Sequence, residues 1–130
     1  MRPEHGKLLE EVRRPRRVLV VDDHSSFRRC ARAILVEEGF EVVGEAEDGA
    51  GALALARQLA PDFVLLDIQL PDVDGFEVAA RMLEDDPALP IVLVSTREQA
   101  VYGARIEASG ARGFLAKAEL SRAALVRLLE

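Results

Sequence analysis

Five short apolar runs alternate with five stretches whose apolar residues fall at helical spacing, and this alternation limits the chain to few folds. Val18–Val21, Phe63–Leu66 and Ile91–Val94 are unbroken apolar runs bounded by polar or turn residues. Runs this short, so bounded, read as strands buried on both faces. Glu41–Ala46 is diluted by Glu41, Gly44 and Glu45, which places it at a sheet edge, and Phe114–Ala116 is the last strand. Between the strands, Phe27, Ala31, Ile34 and Leu35 share one face of a helix over Ser25–Glu38, and Gly39 stops it. A second helix covers Ala50–Leu59, after the Asp48-Gly49 turn and before Pro61. A third starts near Asp74, which caps it, with Phe76, Ala79, Ala80 and Leu83 on one face. The fourth, Arg97–Ala108, is the weakest, because Gly103 inside it costs about 1 kcal/mol relative to alanine. Ser121 is placed to cap a last helix through Leu129. Strands joined by helical crossovers pair in parallel, and a parallel sheet is covered on both faces. The expected fold is α/β and doubly wound, with five parallel strands.

Bulk properties narrow the function. The 130 residues make one domain with a substantial core. A net charge of -6 argues against non-specific nucleic-acid binding by this chain alone. The single cysteine, Cys30, excludes an internal disulfide and is expected in the core. No apolar run reaches membrane-spanning length, and the polar start is no signal peptide, so the expected location is the cytoplasm. Residues 1–17 stand apart: Arg2, Lys7, Arg13, Arg14, Arg16 and Arg17 make a basic, flexible extension on an otherwise acidic chain. Leu8, Leu9 and Val12 form a short helical patch within it.

The chemistry lies at the carboxyl ends of the strands, where open α/β sheets bind ligands. The first strand ends on Asp22-Asp23, the third on Asp67, the fourth on Ser95 and the fifth on Lys117. If these strands are neighbours, their ends share one crevice. Two carboxylates about 4 Å apart repel by about 4 kcal/mol at an effective dielectric of 20. Such a cluster persists only beside positive charge. Lys117 brings one charge, and Mg²⁺ suits an all-oxygen site with few protein ligands. A carboxylate beside a metal, a lysine and a hydroxyl is an arrangement for phosphoryl transfer.

With these residues in place, the chain from Val18 onward resembles the receiver domain of bacterial two-component response regulators. The matching pieces are VLVVDDH, PDFVLLDIQLPDVDG, IVLVST and GFLAK, in order. The wording DDH and VVGEAEDG is most similar to the NarL/LuxR-type subgroup, whose members usually carry a C-terminal DNA-binding domain that these residues do not include. The resemblance implies a flavodoxin-like sheet of order 2-1-3-4-5. It implies that Asp67 accepts a phosphoryl group from a sensor histidine kinase. It also implies Mg²⁺ on Asp22, Asp23, Asp67 and the backbone carbonyl of Gln69, with Asp22 acting mainly through metal-bound water. Ser95 would bind the phosphoryl group, Lys117 would pair with Asp67 and then with that group, and Phe114 would turn inward as the switch aromatic. The face made by the fourth helix, fifth strand and fifth helix would relay the change, to a partner or to a phosphorylation-dependent homodimer.

Some residues depart from the family pattern. Ser95 replaces a commoner threonine but keeps the hydroxyl, with Thr96 as the rival. Phe114 lacks a phenolic hydroxyl, so a signal through that bond is unavailable. Ala118 replaces a common proline, so the preceding peptide bond is expected trans and the following loop shifted. Gln69 and Arg97 flank the site where hydrolysis is tuned in this family. His24 is expected as a loop residue, Tyr102 on the surface, Asp72 in a turn and Asp22-Asp23 able to cap the first helix. Rival functions are weaker. A haloacid-dehalogenase-type phosphatase would have its nucleophile on the first strand. A flavodoxin-like flavin binder would need a phosphate loop where Asp22 and Asp23 stand. The nearest alternative keeps the fold and binds partners without phosphorylation. The ending at Leu128-Leu129-Glu130 fits a stand-alone regulator or part of a longer one.

Overall fold

The structure, a computed structural model, describes residues 15–130. The helical patch around Leu8, Leu9 and Val12, and most of the basic extension, lie outside the described residues. The strands are β1 (Arg17–Val21), β2 (Glu41–Ala46), β3 (Phe63–Asp67), β4 (Ile91–Ser95) and β5 (Gly113–Ala116). The helices are α1 (Ser25–Glu37), α2 (Gly49–Leu59), α3 (Gly75–Asp85), α4 (Gln99–Tyr102), α5 (Ala104–Ala108) and α6 (Arg122–Leu129). A 3₁₀ turn covers Lys117–Glu119. One sheet holds all five strands in the order β2-β1-β3-β4-β5, and every pairing is parallel. This is the expected flavodoxin-like, doubly wound arrangement.

Strand side chains alternate between faces, so a strand covered on both sides is apolar throughout. Leu19, Val21, Val64, Leu66, Ile91 and Leu93 pack on one side with Ala52 of α2, Val78 and Met82 of α3, Tyr102 and Ile106. Val18, Val20, Phe63, Leu65, Val92 and Val94 pack on the other with Ala31 and Leu35 of α1 and Leu125 and Leu129 of α6. All five residues of β3 and of β4 are buried. The strand register pairs Asp67 with Val94 and Ser95 with Ala116, which brings the polar strand ends to one rim.

The expected caps form at Asp74 and Ser121, and Asp48, expected in a turn, caps its helix as well. Asp48 accepts from Gly51 N–H, Asp74 from Phe76 N–H and Ser121 from Ala124 N–H. Each satisfies a backbone donor that the first helical turn leaves unpaired. Gly39 follows α1 with φ +94, and among the described residues no peptide bond is cis.

Several expectations are corrected. β1 starts at Arg17, counted above with the extension: its N–H donates to Asp62 at 2.8 Å and its guanidinium to the Ala60 and Leu59 carbonyls at 2.9 Å. α1 starts from His24 without a side-chain cap, so Asp22 and Asp23 do not cap it. Asp72 does more than turn the chain, accepting from Gly49 and Ala50 N–H at 2.8 and 3.1 Å and so bonding the start of α2. α3 is rotated from the expected face: Gly75, Val78, Ala79 and Met82 are buried while Ala80 is exposed. Cys30 is exposed, one position off the face that Ala31 and Leu35 bury. The expected fourth helix breaks at Gly103, whose φ of 54 and ψ of -133 are non-helical, leaving α4 and α5. Glycine alone adopts such a conformation cheaply.

Candidate functional site

The polar strand ends converge as predicted: Lys117 meets Asp67, and it contacts Asp22 as well. Asp22 follows β1, and its N–H to the Ala46 carbonyl at 3.0 Å extends the ladder. Its side chain is fully buried. One oxygen, Oδ1, accepts from His24 N–H at 2.8 Å. The other, Oδ2, lies 2.5 Å from Lys117 Nζ. That contact is an ion pair without hydrogen-bond alignment, so Oδ2 has no aligned donor. Asp67 ends β3 at 2% exposure. Its Oδ1 accepts from Gln69 N–H at 3.1 Å, and its Oδ2 faces Lys117 Nζ at 3.4 Å. Lys117 thus bridges both acids and sits nearer Asp22 than Asp67. Both acids are buried, and a buried charge without a counter-charge is costly, so the one ammonium serves both. The Phe27 ring, with its centroid 4.6 Å from Nζ, covers the ammonium.

Burial pushes the Asp67 carboxyl up from 3.8 to about 6. The Gln69 N–H opposes this, the Asp22 charge adds to it, and Lys117 opposes it again. The net rise is set first by burial, with the neighbouring Asp22 charge a smaller contribution. Asp23 and His24 are exposed beside it, with His24 Nδ1 3.2 Å from Asp22 and 3.1 Å from Asp23. Ligand atoms of Asp22, Asp23, His24 and Asp67 all lie within 4.8 Å of one another. His24 is therefore part of the rim of the cluster, closer in than a plain loop residue.

The backbone after Asp67 is held tightly. Gly75 N–H donates to the Ile68 carbonyl at 2.8 Å. A Cβ at Gly75 would lie 2.5 Å from the Asp67 carbonyl and 2.6 Å from Ile68 Cα. Only glycine admits this approach, and it sets the loop that carries Gln69. With its amide oriented to suit its neighbours, the Gln69 side-chain oxygen accepts from Arg97 at 3.2 Å. Gln69 and Arg97 thus meet across the mouth of the site.

Ser95 is fully buried while Thr96 is exposed, so Ser95 is the inward hydroxyl. Its partners are Tyr102 Oη at 2.6 Å and Arg97 N–H at 3.0 Å; Asp67 is not among them. Tyr102, expected on the surface, is buried. Its ring meets Phe76 edge-on at 5.8 Å and half-buried Phe114 at 5.9 Å. Sequence reasoning missed this residue. The available signal was that Tyr102 and Ile106, four apart, are the large apolar side chains that a helix could turn inward together. An open cleft of about 570 Å³ beside Lys117 is lined by His24, Ser26, Phe27, Thr96, Ala116 and Ala118. Among the described residues no helix is long and apolar enough to cross a membrane.

The chain is similar to known proteins in sequence and in fold. BvgA of Bordetella pertussis, a positive transcription regulator of virulence factors, is 38% identical over 103 residues, covering 79% of this chain and 49% of BvgA. The chain spans about half the length of the curated relatives it matches. The signal receiver domain of NarL from Mycobacterium tuberculosis superposes with a TM-score of 0.77 at 36% identity, covering 88% of this chain and 96% of that one. A Borrelia burgdorferi structure, the CheX–CheY complex with BeF₃ and Mg²⁺, gives a TM-score of 0.77 at 27% identity, covering 88% of this chain and 87% of that one. The family model of the response regulator receiver domain matches residues 18–130. Sequence, fold and acid cluster agree, and the chain belongs to the response regulator receiver domain family.

Proposed function

We propose that the chain is a phosphorylation-switched signalling receiver, with the receiver domain over residues 18–130, Arg17 opening its first strand, and the residues before it as an extension. The observation that carries this reading is the meeting of Asp22, Asp67 and Lys117 in one buried cluster at the carboxyl rim. Asp67 is the nucleophile. One carboxylate oxygen forms a bond to phosphorus as the bond from phosphorus to a histidine-kinase imidazole breaks, and the imidazole keeps that electron pair. Acidity fits this role, because a carboxyl near pH 6 is mostly ionised in neutral solution. Lys117 lies within reach of Asp67 and pairs with the charge that the phosphoryl oxygens bring. Ser95 supplies a hydroxyl to them once it turns from its present partners, and Phe114 follows it inward.

The donor set fits Mg²⁺, since the carboxylates of Asp22, Asp23 and Asp67 are hard oxygen ligands in one cluster. The Gln69 carbonyl would complete the protein ligands. When bound, the metal supplies positive charge to the phosphoryl oxygens. The Mg²⁺ and BeF₃ of the Borrelia complex support this reading by relation. The partner is a sensor histidine kinase. The response leaves through α4, α5, β5 and α6, to a phosphorylation-dependent homodimer, and reaches DNA only through an output domain outside these residues. The chain acts as a switch that catalyses its own phosphorylation and dephosphorylation, in the cytoplasm.

The test is intact mass after incubation with Mg²⁺ and acetyl phosphate, wild type beside Asp67→Asn. One acid- and base-labile phosphoryl adduct on the wild type alone is expected. An adduct retained by Asp67→Asn refutes the acceptor assignment. No adduct on either protein, with Mg²⁺ binding shown separately, favours a receiver that binds partners without phosphorylation.

A further inference from the structure

We propose that Tyr102 is a positioning residue: its phenol holds the Ser95 hydroxyl away from Asp67, supplying from α4 the hydroxyl that position 114 lacks. The inference rests on the reading of Asp67 as phospho-acceptor and adds how that site is restrained before it reacts.

Ser95 Oγ sits at the buried end of β4 with two partners. A hydroxyl offers one proton and two lone pairs. The Arg97 N–H occupies one lone pair, and the 2.6 Å contact to Tyr102 Oη fixes the direction of the oxygen. To donate to oxygens on Asp67, Ser95 must leave the phenol. A buried phenol left without a partner is unfavourable, so Tyr102 must turn or be resolvated in the same event.

The phenol is itself held. Phe76, at the start of α3, meets the Tyr102 ring edge-on, and Phe114 of β5 meets it on another side. The Arg105 guanidinium lies 4.3 Å over the Phe76 ring and bonds Asp74 at 2.8 Å, so α5 is tied to the loop before α3. Tyr102 is also the sole buried residue of α4, with Val101 beside it 58% exposed. Gly103 follows at once with φ 54, and a Cβ built there meets nothing within 4 Å. α4 is therefore anchored by one side chain and ends on an unpacked break. Breaking the Ser95–Tyr102 bond frees that anchor, which couples the reacting site to the surface of α4 through one hydroxyl pair. The aromatic position in β5, Phe114, retains only packing in this role.

The chain has a single tyrosine and no tryptophan, so tyrosine emission reports Tyr102 alone. Acrylamide quenching of that emission should rise when wild-type protein takes up Mg²⁺ and beryllofluoride, a phosphoryl stand-in. Unchanged quenching on uptake overturns the proposal. Tyr102→Phe keeps the ring and removes the hydroxyl. It should raise beryllofluoride affinity by about two- to twelvefold, the value of one neutral hydrogen bond. In a Ser95→Ala background the same substitution should bring no gain. A residue with only a packing role would lower the melting temperature without raising that affinity. Equal affinities of wild type and Tyr102→Phe refute the positioning role and leave the Asp67 assignment standing. Absence of uptake by either protein removes the acceptor reading and this inference with it.

Discussion

Replacing Asp67 with asparagine should stabilise the metal-free protein even as it removes the acceptor. Asp67 is 2% exposed, and burial beside Asp22 raises its carboxyl from 3.8 to about 6. A folded acid that holds its proton more tightly than the unfolded one contributes fully to stability below 3.8, and that contribution is lost as pH rises through about 6. The difference corresponds to about 3 kcal/mol at about 1.4 kcal/mol per tenfold in proton affinity. Asparagine carries no such penalty at any pH. Its oxygen can still accept the Gln69 N–H, and Lys117 keeps Asp22 at 2.5 Å. The variant should therefore match the wild type near pH ~4 and exceed it by about 3 kcal/mol at pH ~8. For a domain of this size that is a rise of about 10 °C in Tm. The assay is thermal and urea unfolding of both proteins in EDTA across this range. A gap that does not grow with pH, or a wild type more stable at the alkaline end, refutes the argument that Asp67 is a desolvated charge.

Further perturbations follow from the same geometry. Lys117→Met removes the cation between Asp22 and Asp67 and should cost about 3–5 kcal/mol in EDTA; millimolar Mg²⁺ should return more stability to the variant than to the wild type. A urea midpoint equal to that of the wild type contradicts the bridging role. Gly75→Ala places a methyl against the Asp67 and Ile68 backbone and should cost about 1–3 kcal/mol. Because the Asp67–Gln69 loop must shift, it should also weaken the rise in Tm that Mg²⁺ produces, and a variant that melts and responds to Mg²⁺ like the wild type contradicts the close approach.

Much of the molecule is legible in the chain because its strands are buried on both faces. Phe63–Leu66 and Ile91–Val94 have no polar position to confuse a reading, and the first polar residue after each marks the rim. Helix rotation is less legible. Each residue turns a helix by about 100°, so a one-position error moves a side chain off the core face. Cys30 beside Ala31 and Ala80 beside Ala79 fall on either side of that edge, and small side chains carry little directional information. Tyr102 was misplaced for a different reason: a phenol suits surface and core alike, and only a partner decides.

The sequence by itself determined the layered α/β fold and the residues delivered to its rim: Asp22, Asp23, Asp67, Ser95 and Lys117. Periodicity and strand ends are local properties, so the chain carries them openly. Only the tertiary structure decided which of these groups pair. Lys117 and Asp67 are 50 positions apart, and the lysine reaches both buried acids, hydrogen-bonding Asp67 and lying closer to Asp22. The Ser95 hydroxyl turns to Tyr102 rather than Asp67, because Phe76 and Phe114 hold that ring against it. Such choices depend on burial and charge summed over several elements at once, which no local pattern encodes.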